Sequence, residues 1–289
     1  MHSNPAQYDL IAPTTLEVVL DILASEPGHY TPIAGGTEIM VALGAGRLAR
    51  KPLLSINHLE ELRFIEVLDS EITIGSGTTF TDIRRDAVIA SDFPLLSLAA
   101  SWTGSIANQN RGTIGGNIVN GSPAADSPPA LLVYDAVLTL ISTRGTRRLP
   151  YSDFHLGYKK TALAPDELVH SIKLQRDFQD YVPYTRKVGT RNAQAISKVA
   201  IAALARMNNG VLEDVRIGAA SLRDRPTRLP ETEACLRSQP LTAETIGQLL
   251  VKARAALLAE TMPIDDIRST ARYRSAVAGN LLEEFLRSL

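Results

Sequence analysis

Cysteine is nearly absent: the chain of 289 residues carries one, Cys235. That excludes an internal disulfide, and it excludes an iron–sulfur cluster held by this chain alone, which takes about four thiolates. Aromatics are sparse at 5%, with a single tryptophan, and neither sign of charge dominates, with 30 Lys and Arg against 31 Asp and Glu. A balanced charge argues against a nucleic-acid or anionic-membrane partner. The five histidines are scattered, and His155 and His170 lie on unmatched segments, so no zinc set is suggested. Long apolar runs are missing too. The most apolar stretch, "ALLVYDAVLTLI", is interrupted by Asp135 and too short to span a bilayer, and the start "MHSNPAQYDLIAP" has no leader-like apolar region. The expected location is the cytoplasm.

What is present is a 45% hydrophobic composition that can bury a sizeable core in two or so compact units. Helix and strand signals alternate irregularly. In "PTTLEVVLDILASEPG", Thr14 and Glu17 have capping-box spacing, Leu16, Val19, Leu20 and Leu23 share a helical face, and Gly28 ends the segment. A further helix opens near Thr79 or Thr81. "AISKVAIAALARMNNGVLEDVRIGAAS" reads as a hairpin about the turn "NNG". Two amphipathic helices are expected at about 241–259 and 267–288, the first capped by Thr242. The texture changes near 177, which predicts domains at 1–177 (subdomains about 1–55 and 56–177) and 178–289.

Two glycine-rich passages carry the chemistry. "PIAGGTEIMVAL" and "RGTIGGNIVNGSPAADSPPALL" each set a Gly-Gly pair and a polar residue at the mouth of a helical segment. Without Cβ atoms, such a turn lets a bulky anion reach backbone N–H groups, and a helix N-terminus favours negative charge. Gly35, Gly36 and Thr37 fit a pyrophosphate cradle, and Thr113, Gly115, Gly116 and Asn117 supply a second close approach. Either could equally be a tight turn. The spacing is not G-x-G-x-x-G, which disfavours a doubly wound dinucleotide fold. Asp126 either accepts from a ligand or caps the helix starting at Pro128. Lys187 and Arg191 are either a solvated face or a cation pair near a cofactor. No Ser–His or Cys–His pairing is suggested, which disfavours hydrolysis, and no catalytic side chain is assigned.

The ordered blocks "AGGTEIMV", "ITIGSGTTFTDI", "NRGTIGGNIVNGSPAADSPPALLVYDA", "DFHLGYKKTALAPDELV" and "YTRKVGTRNAQAISKVAIAA" resemble the FAD-binding (medium) subunit of molybdenum hydroxylases, the xanthine dehydrogenase, carbon monoxide dehydrogenase and aldehyde oxidoreductase type. The resemblance implies an α+β fold: a two-subdomain FAD-binding fold of the p-cresol methylhydroxylase and vanillyl-alcohol oxidase type, then a small α+β C-terminal domain. It implies non-covalent FAD held by Ile33, Ala34, Gly35, Gly36, Thr37 and Glu38, by Trp102, Thr103 and Gly104, and by Thr113, Gly115, Gly116, Asn117 and Asp126. Glu167, Leu168 and Val169 would lie beside the cofactor, with Lys187 facing the flavin. It further implies a large partner with the molybdenum cofactor, a small partner with 2Fe–2S clusters, and electrons passing through FAD to NAD+ or another acceptor. The chain departs from many relatives at Gln109, where they carry Arg, with Arg111 nearby as a partial substitute. The competing expectations are a stand-alone FAD-dependent oxidoreductase of the same fold and a scaffold that has lost FAD.

Overall fold

A computed structural model describes residues 4–191 and 194–289. The first unit is a small parallel sheet. In chain order it comprises β1 (Leu10–Ile11), α1 (Leu16–Ser25), β2 (Thr31–Ile33), α2 (Thr37–Gly44) and β3 (Leu53–Ser55), with strand order β1-β3-β2. Val19, Leu20 and Leu23 of α1 bury against Leu54 and against Leu59, Leu62 and Leu168 of the next unit. The helix starts one residue later than its capping-box spacing suggests. Thr15, extended at φ −134°, accepts from Val18 N–H, and Thr14 is left outside.

The second unit contains β4 (Ile65–Val67), β5 (Glu71–Gly75), then six helices: α3 (Phe80–Arg85), α4 (Ala87–Asp92), α5 (Pro94–Trp102), α6 (Ile106–Gln109), α7 (Ile114–Val119) and α8 (Pro128–Val133). The chain then returns through β6 (Val137–Ser142), β7 (Gly145–Pro150), the short pair β8 (His155–Gly157) and β9 (Lys160–Thr161), and β10 (Leu168–Gln175). The antiparallel order is β4-β5-β10-β6-β7. Strand β6 alternates strictly between buried and half-buried positions, so Leu138 and Leu140 join Ile72, Ile74, Ile172 and Leu174 under the helices. Thr79 opens α3 with a reciprocal cap: its hydroxyl accepts from Asp82 N–H while the Asp82 carboxylate accepts from Thr79 N–H.

The third unit has β11 (Val182–Val188), β12 (Val199–Asn208), β13 (Val211–Ala220), β14 (Thr227–Arg228), α9 (Pro230–Leu236), β15 (Gln239–Pro240), α10 (Ile246–Glu260) and α11 (Ala271–Arg287). Asn209 and Gly210 stand at φ 49° and 77°, the pair of positive values a two-residue hairpin turn requires, so "NNG" joins β12 to β13 as the sequence predicts. Strand β12 is buried on both faces. Val199, Ile201 and Ala203 pack beneath α10 and α11, while Ala202 and Leu204 join the core of the second unit. Both C-terminal helices are shorter at their starts than expected. Thr242 and Thr245 close a turn on each other ahead of α10, and the segment before α11 is held by Asp266 rather than by helical bonds. Among the described residues, no helix is long and apolar enough to cross a membrane.

Candidate cofactor site

The two glycine turns meet. Gly35 follows β2, Gly36 caps α2 at φ 75°, and a Cβ built on Gly35 would lie 1.7 Å from the Arg111 carbonyl oxygen. Arg111 begins the second turn, so this glycine is required by the approach of one turn to the other. The second turn leans in the same way on the "GSGTT" segment. Gly115 N–H donates to the Ser76 carbonyl at 2.9 Å, Ile114 N–H to Thr78 at 3.0 Å and Phe80 N–H to the Gly112 carbonyl at 3.1 Å. A Cβ on Gly115 would stand 2.5 Å from Ser76 Cβ.

The second glycine of each pair faces elsewhere. A Cβ on Gly36 would make only ordinary contacts with its neighbours Ile33 and Met40, and one on Gly116 would meet only Thr113 Oγ1, at 3.0 Å. Gly116 is exposed. It lies in α7 and has none of the positive φ that would make it obligatory for the backbone: Thr113 caps the helix and accepts from Gly116 N–H at 3.1 Å. Each pair thus divides its labour. Gly35 and Gly115 allow protein segments to touch, while Gly36 and Gly116 leave two helix N-termini uncovered by side chains, a surface suited to a diphosphate.

Beyond the turns, Lys187 of β11 crosses to the helical unit. Its ammonium donates to Asp126 Oδ2 at 2.6 Å and to the Trp102 carbonyl at 2.9 Å, and the Lys187 and Asp126 side chains are each only 10% exposed. Asp126 therefore does not cap α8, whose N-cap is Ser127. Burial pushes the Asp126 carboxyl up, against the opposing pull of Lys187 and of the Ser197 hydroxyl. Trp102 is half-buried at the end of α5, Thr103 returns its hydroxyl to the Ala99 carbonyl, and Gly104 turns the chain at φ 62°. Glu38 and Asn120 are linked through Lys159, 3.4 Å from each. Asn117 accepts from Ser127.

Other expected residues are committed elsewhere. The Glu167 carboxylate is gripped by Arg147 at 2.7 and 2.8 Å and by Ala164 N–H, and the Arg147 bonds hold it below the usual range. Leu168 and Val169 bury their side chains in two cores, which leaves only main chain to face a ligand. Ile33 and Ala34 lead into the first turn and are half-buried. Arg191 Nη2 donates to the Gln194 carbonyl. Gln109 is buried: its Nε2 donates to the Ser101 carbonyl, and its Oε1 has no hydrogen-bond partner among the described residues. Arg111 is exposed and meets the first turn through its carbonyl. Two contributors were not singled out in the sequence: Lys159 and Ser197. The only signal for Lys159 was the "GYKKT" block itself. A hollow of about 440 Å3 between Glu26–His29 and Arg50–Pro52 shares no residue with either turn.

The β8–β9 pair that carries Lys159 is anchored by His155, whose Nε2 lies 2.8 Å from the Tyr151 hydroxyl. Burial, helped by Arg225, lowers the His155 pKa to about 4. The unfolded chain then binds the extra proton first, near pH 6.5, so stability present above that value is lost as pH falls toward 4. Urea midpoints should drop over this window, and the drop should be smaller in His155→Gln. Equal losses in both proteins would remove His155 from the account.

These features define a cofactor-binding α+β protein with backbone cradles for an extended anionic ligand. Residues 6–174 match the FAD binding domain in molybdopterin dehydrogenase and residues 184–289 the CO dehydrogenase flavoprotein C-terminal domain; the chain belongs to this family of FAD-binding oxidoreductase subunits. It is 30% identical to the xanthine dehydrogenase FAD-binding subunit of Escherichia coli O157:H7, over 90% of this chain and 88% of that one. It is also 30% identical to the nicotinate dehydrogenase FAD-subunit of Eubacterium barkeri, over 93% and 90%. The structure superposes on a chain of carbon monoxide dehydrogenase from Hydrogenophaga pseudoflava with TM-score 0.90, 25% identity and 96% and 95% coverage.

Proposed function

We propose that this chain is the electron-transfer flavin subunit of a molybdenum hydroxylase complex, taking electrons from iron–sulfur clusters of a small partner, itself supplied by a large molybdenum-cofactor subunit, and passing them to NAD+ or another acceptor. The observation that carries the reading is the contact of Gly35 with Arg111, which brings two helix-opening turns to one place. FAD, when bound, supplies the redox chemistry. The chain's own residues bind and tune it. In this reading Gly36, Thr37 and Gly116 offer backbone and hydroxyl groups to the diphosphate, and Trp102, Thr103, Gly104, Asn117 and the main chain of Glu167–Val169 line the rest. Gln109, whose Oε1 has no partner among the described residues, stands two residues before Arg111 and fits a site that is completed by a bound group. Lys187 brings positive charge from the C-terminal unit, where it favours the reduced flavin. The proposed division falls near residues 55 and 177, so that flavin is held by the first two units and covered by the third.

The test is purification of the native complex. The protein should be yellow, acid precipitation should release FAD into the supernatant, and molybdenum and iron should co-purify. A yellow chain that is active alone and free of both metals would instead establish a stand-alone oxidoreductase. Colour that stays with the acid pellet would establish covalent attachment.

A further inference from the structure

Lys187 does not stand by itself at the junction between units. Its partner Asp126 accepts a second bond, at Oδ1, from the Ser197 hydroxyl at 2.7 Å. The Ser197 carbonyl accepts from the Ser221 hydroxyl at 2.8 Å, and Ser221 N–H donates to the Pro123 carbonyl at 2.7 Å. The Ser221 carbonyl in turn accepts from Arg274 Nη1 at 3.1 Å, and Arg274 pairs with Asp266 at 2.7 Å. Ser197, Ser221 and Arg274 are 1%, 4% and 4% exposed. Ser221 is held at φ 66°, a left-handed conformation that a serine keeps only where its surroundings fix it. An ordinary surface ion pair needs none of this.

The geometry points to Ser197 as a positioning residue: fixed from the C-terminal unit by Ser221, it orients the Asp126 carboxylate, which in turn holds the Lys187 ammonium toward the bound flavin and partly neutralises it. An ammonium has three donors, and Asp126 and Trp102 use two. The third is then aimed by the same two contacts. This inference rests on the proposed flavin site and adds to it a device that sets how strongly the site prefers reduced over oxidised FAD.

The test uses FAD-loaded full-length protein, with flavin content and flavin midpoint potential as readouts. Lys187→Met removes the cation, and the preference for reduced flavin should fall about tenfold, a drop of about 30 mV for a two-electron couple. Ser197→Ala should keep its FAD and move the potential the other way, by a smaller factor, because a carboxylate that loses a donor takes up a proton more readily and opposes Lys187 less. Ser197→Thr, which keeps the hydroxyl, should match the wild type. In a Lys187→Met background the Asp126 carboxylate has no ammonium to orient, so Ser197→Ala should change nothing further. The inference is overturned if Ser197→Ala leaves the potential unchanged, if its shift persists in the Lys187→Met background, or if it loses FAD outright. A wild-type chain that binds no FAD would sink the proposed function itself, whereas FAD bound normally with an unmoved potential in Lys187→Met would sink only this inference.

Discussion

Gly35→Ala is expected to abolish FAD retention and to destabilise the fold by about 3 kcal/mol or more, because the new Cβ would meet backbone rather than a side chain that can swing aside. The Arg111 carbonyl lies 1.7 Å from that Cβ position, so the two turns must separate. Gly116→Val should behave differently. Its Cβ meets only the Thr113 hydroxyl, so the apoprotein should stay folded while a branched side chain stands where the cofactor approaches, and FAD occupancy should fall by more than about tenfold, a loss of about 1.4 kcal/mol or more. Gly145, at φ 113° with nothing within 4 Å, provides the control: Gly145→Val strains the β6–β7 turn by about 1–3 kcal/mol and should leave FAD binding intact. Flavin content and thermal midpoints of the three proteins decide the matter. Full FAD retention by Gly116→Val would show that this stretch does not bind the cofactor.

The second large effect is expected at Glu233, which no cofactor argument touches. Its side chain, 5% exposed, accepts from the buried Ile217 N–H at 2.7 Å and pairs with Arg228. Arg228 continues to the Leu132 carbonyl and to Asp135 at the end of α8, so the carboxylate ties the C-terminal sheet to the helical unit. Burial raises the Glu233 carboxyl while Arg228 opposes the rise. Glu233→Ala leaves the buried Ile217 N–H without its acceptor and removes two of the Arg228 bonds, while Asp135 and the Leu132 carbonyl still hold the guanidinium, so a loss of about 2–3 kcal/mol is expected. Urea unfolding should show that loss. A change below about 1 kcal/mol would mean that the pair does no more than an exposed one.

The legible parts of this protein are those whose cause is local. Asn209 and Gly210 announce a hairpin because two consecutive positive φ values demand such residues, and the expected helix start near Thr79 or Thr81 falls at Thr79, where Asp82 completes a reciprocal cap. The glycine pairs were visible for the same reason, and the ordered blocks around them carried the family. The purposes within each pair were not visible: Gly35 and Gly115 answer to Arg111 and Ser76, partners that only the folded chain brings near. The same holds for Asp126. Read locally, it stands where a cap for α8 would stand, and it is turned from that role by Lys187 and Ser197, both from the other unit. Glu167, matched to a cofactor segment, meets Arg147 across β7 and is spoken for. Thr14 has the capping-box spacing to Glu17 in sequence, yet the fold caps the helix with Thr15, which accepts from Val18 N–H.

The contact between Gly35 and Arg111 also sets an order in time. The small parallel sheet, the "GSGTT" segment and the second turn are far apart along the chain, and the cradle exists only after all three have docked. Such distant pairings form slowly because loop closure must precede the contacts that reward it. If these turns hold FAD as proposed, the cofactor meets its cradle only in the finished fold, and its binding energy should slow unfolding rather than speed folding.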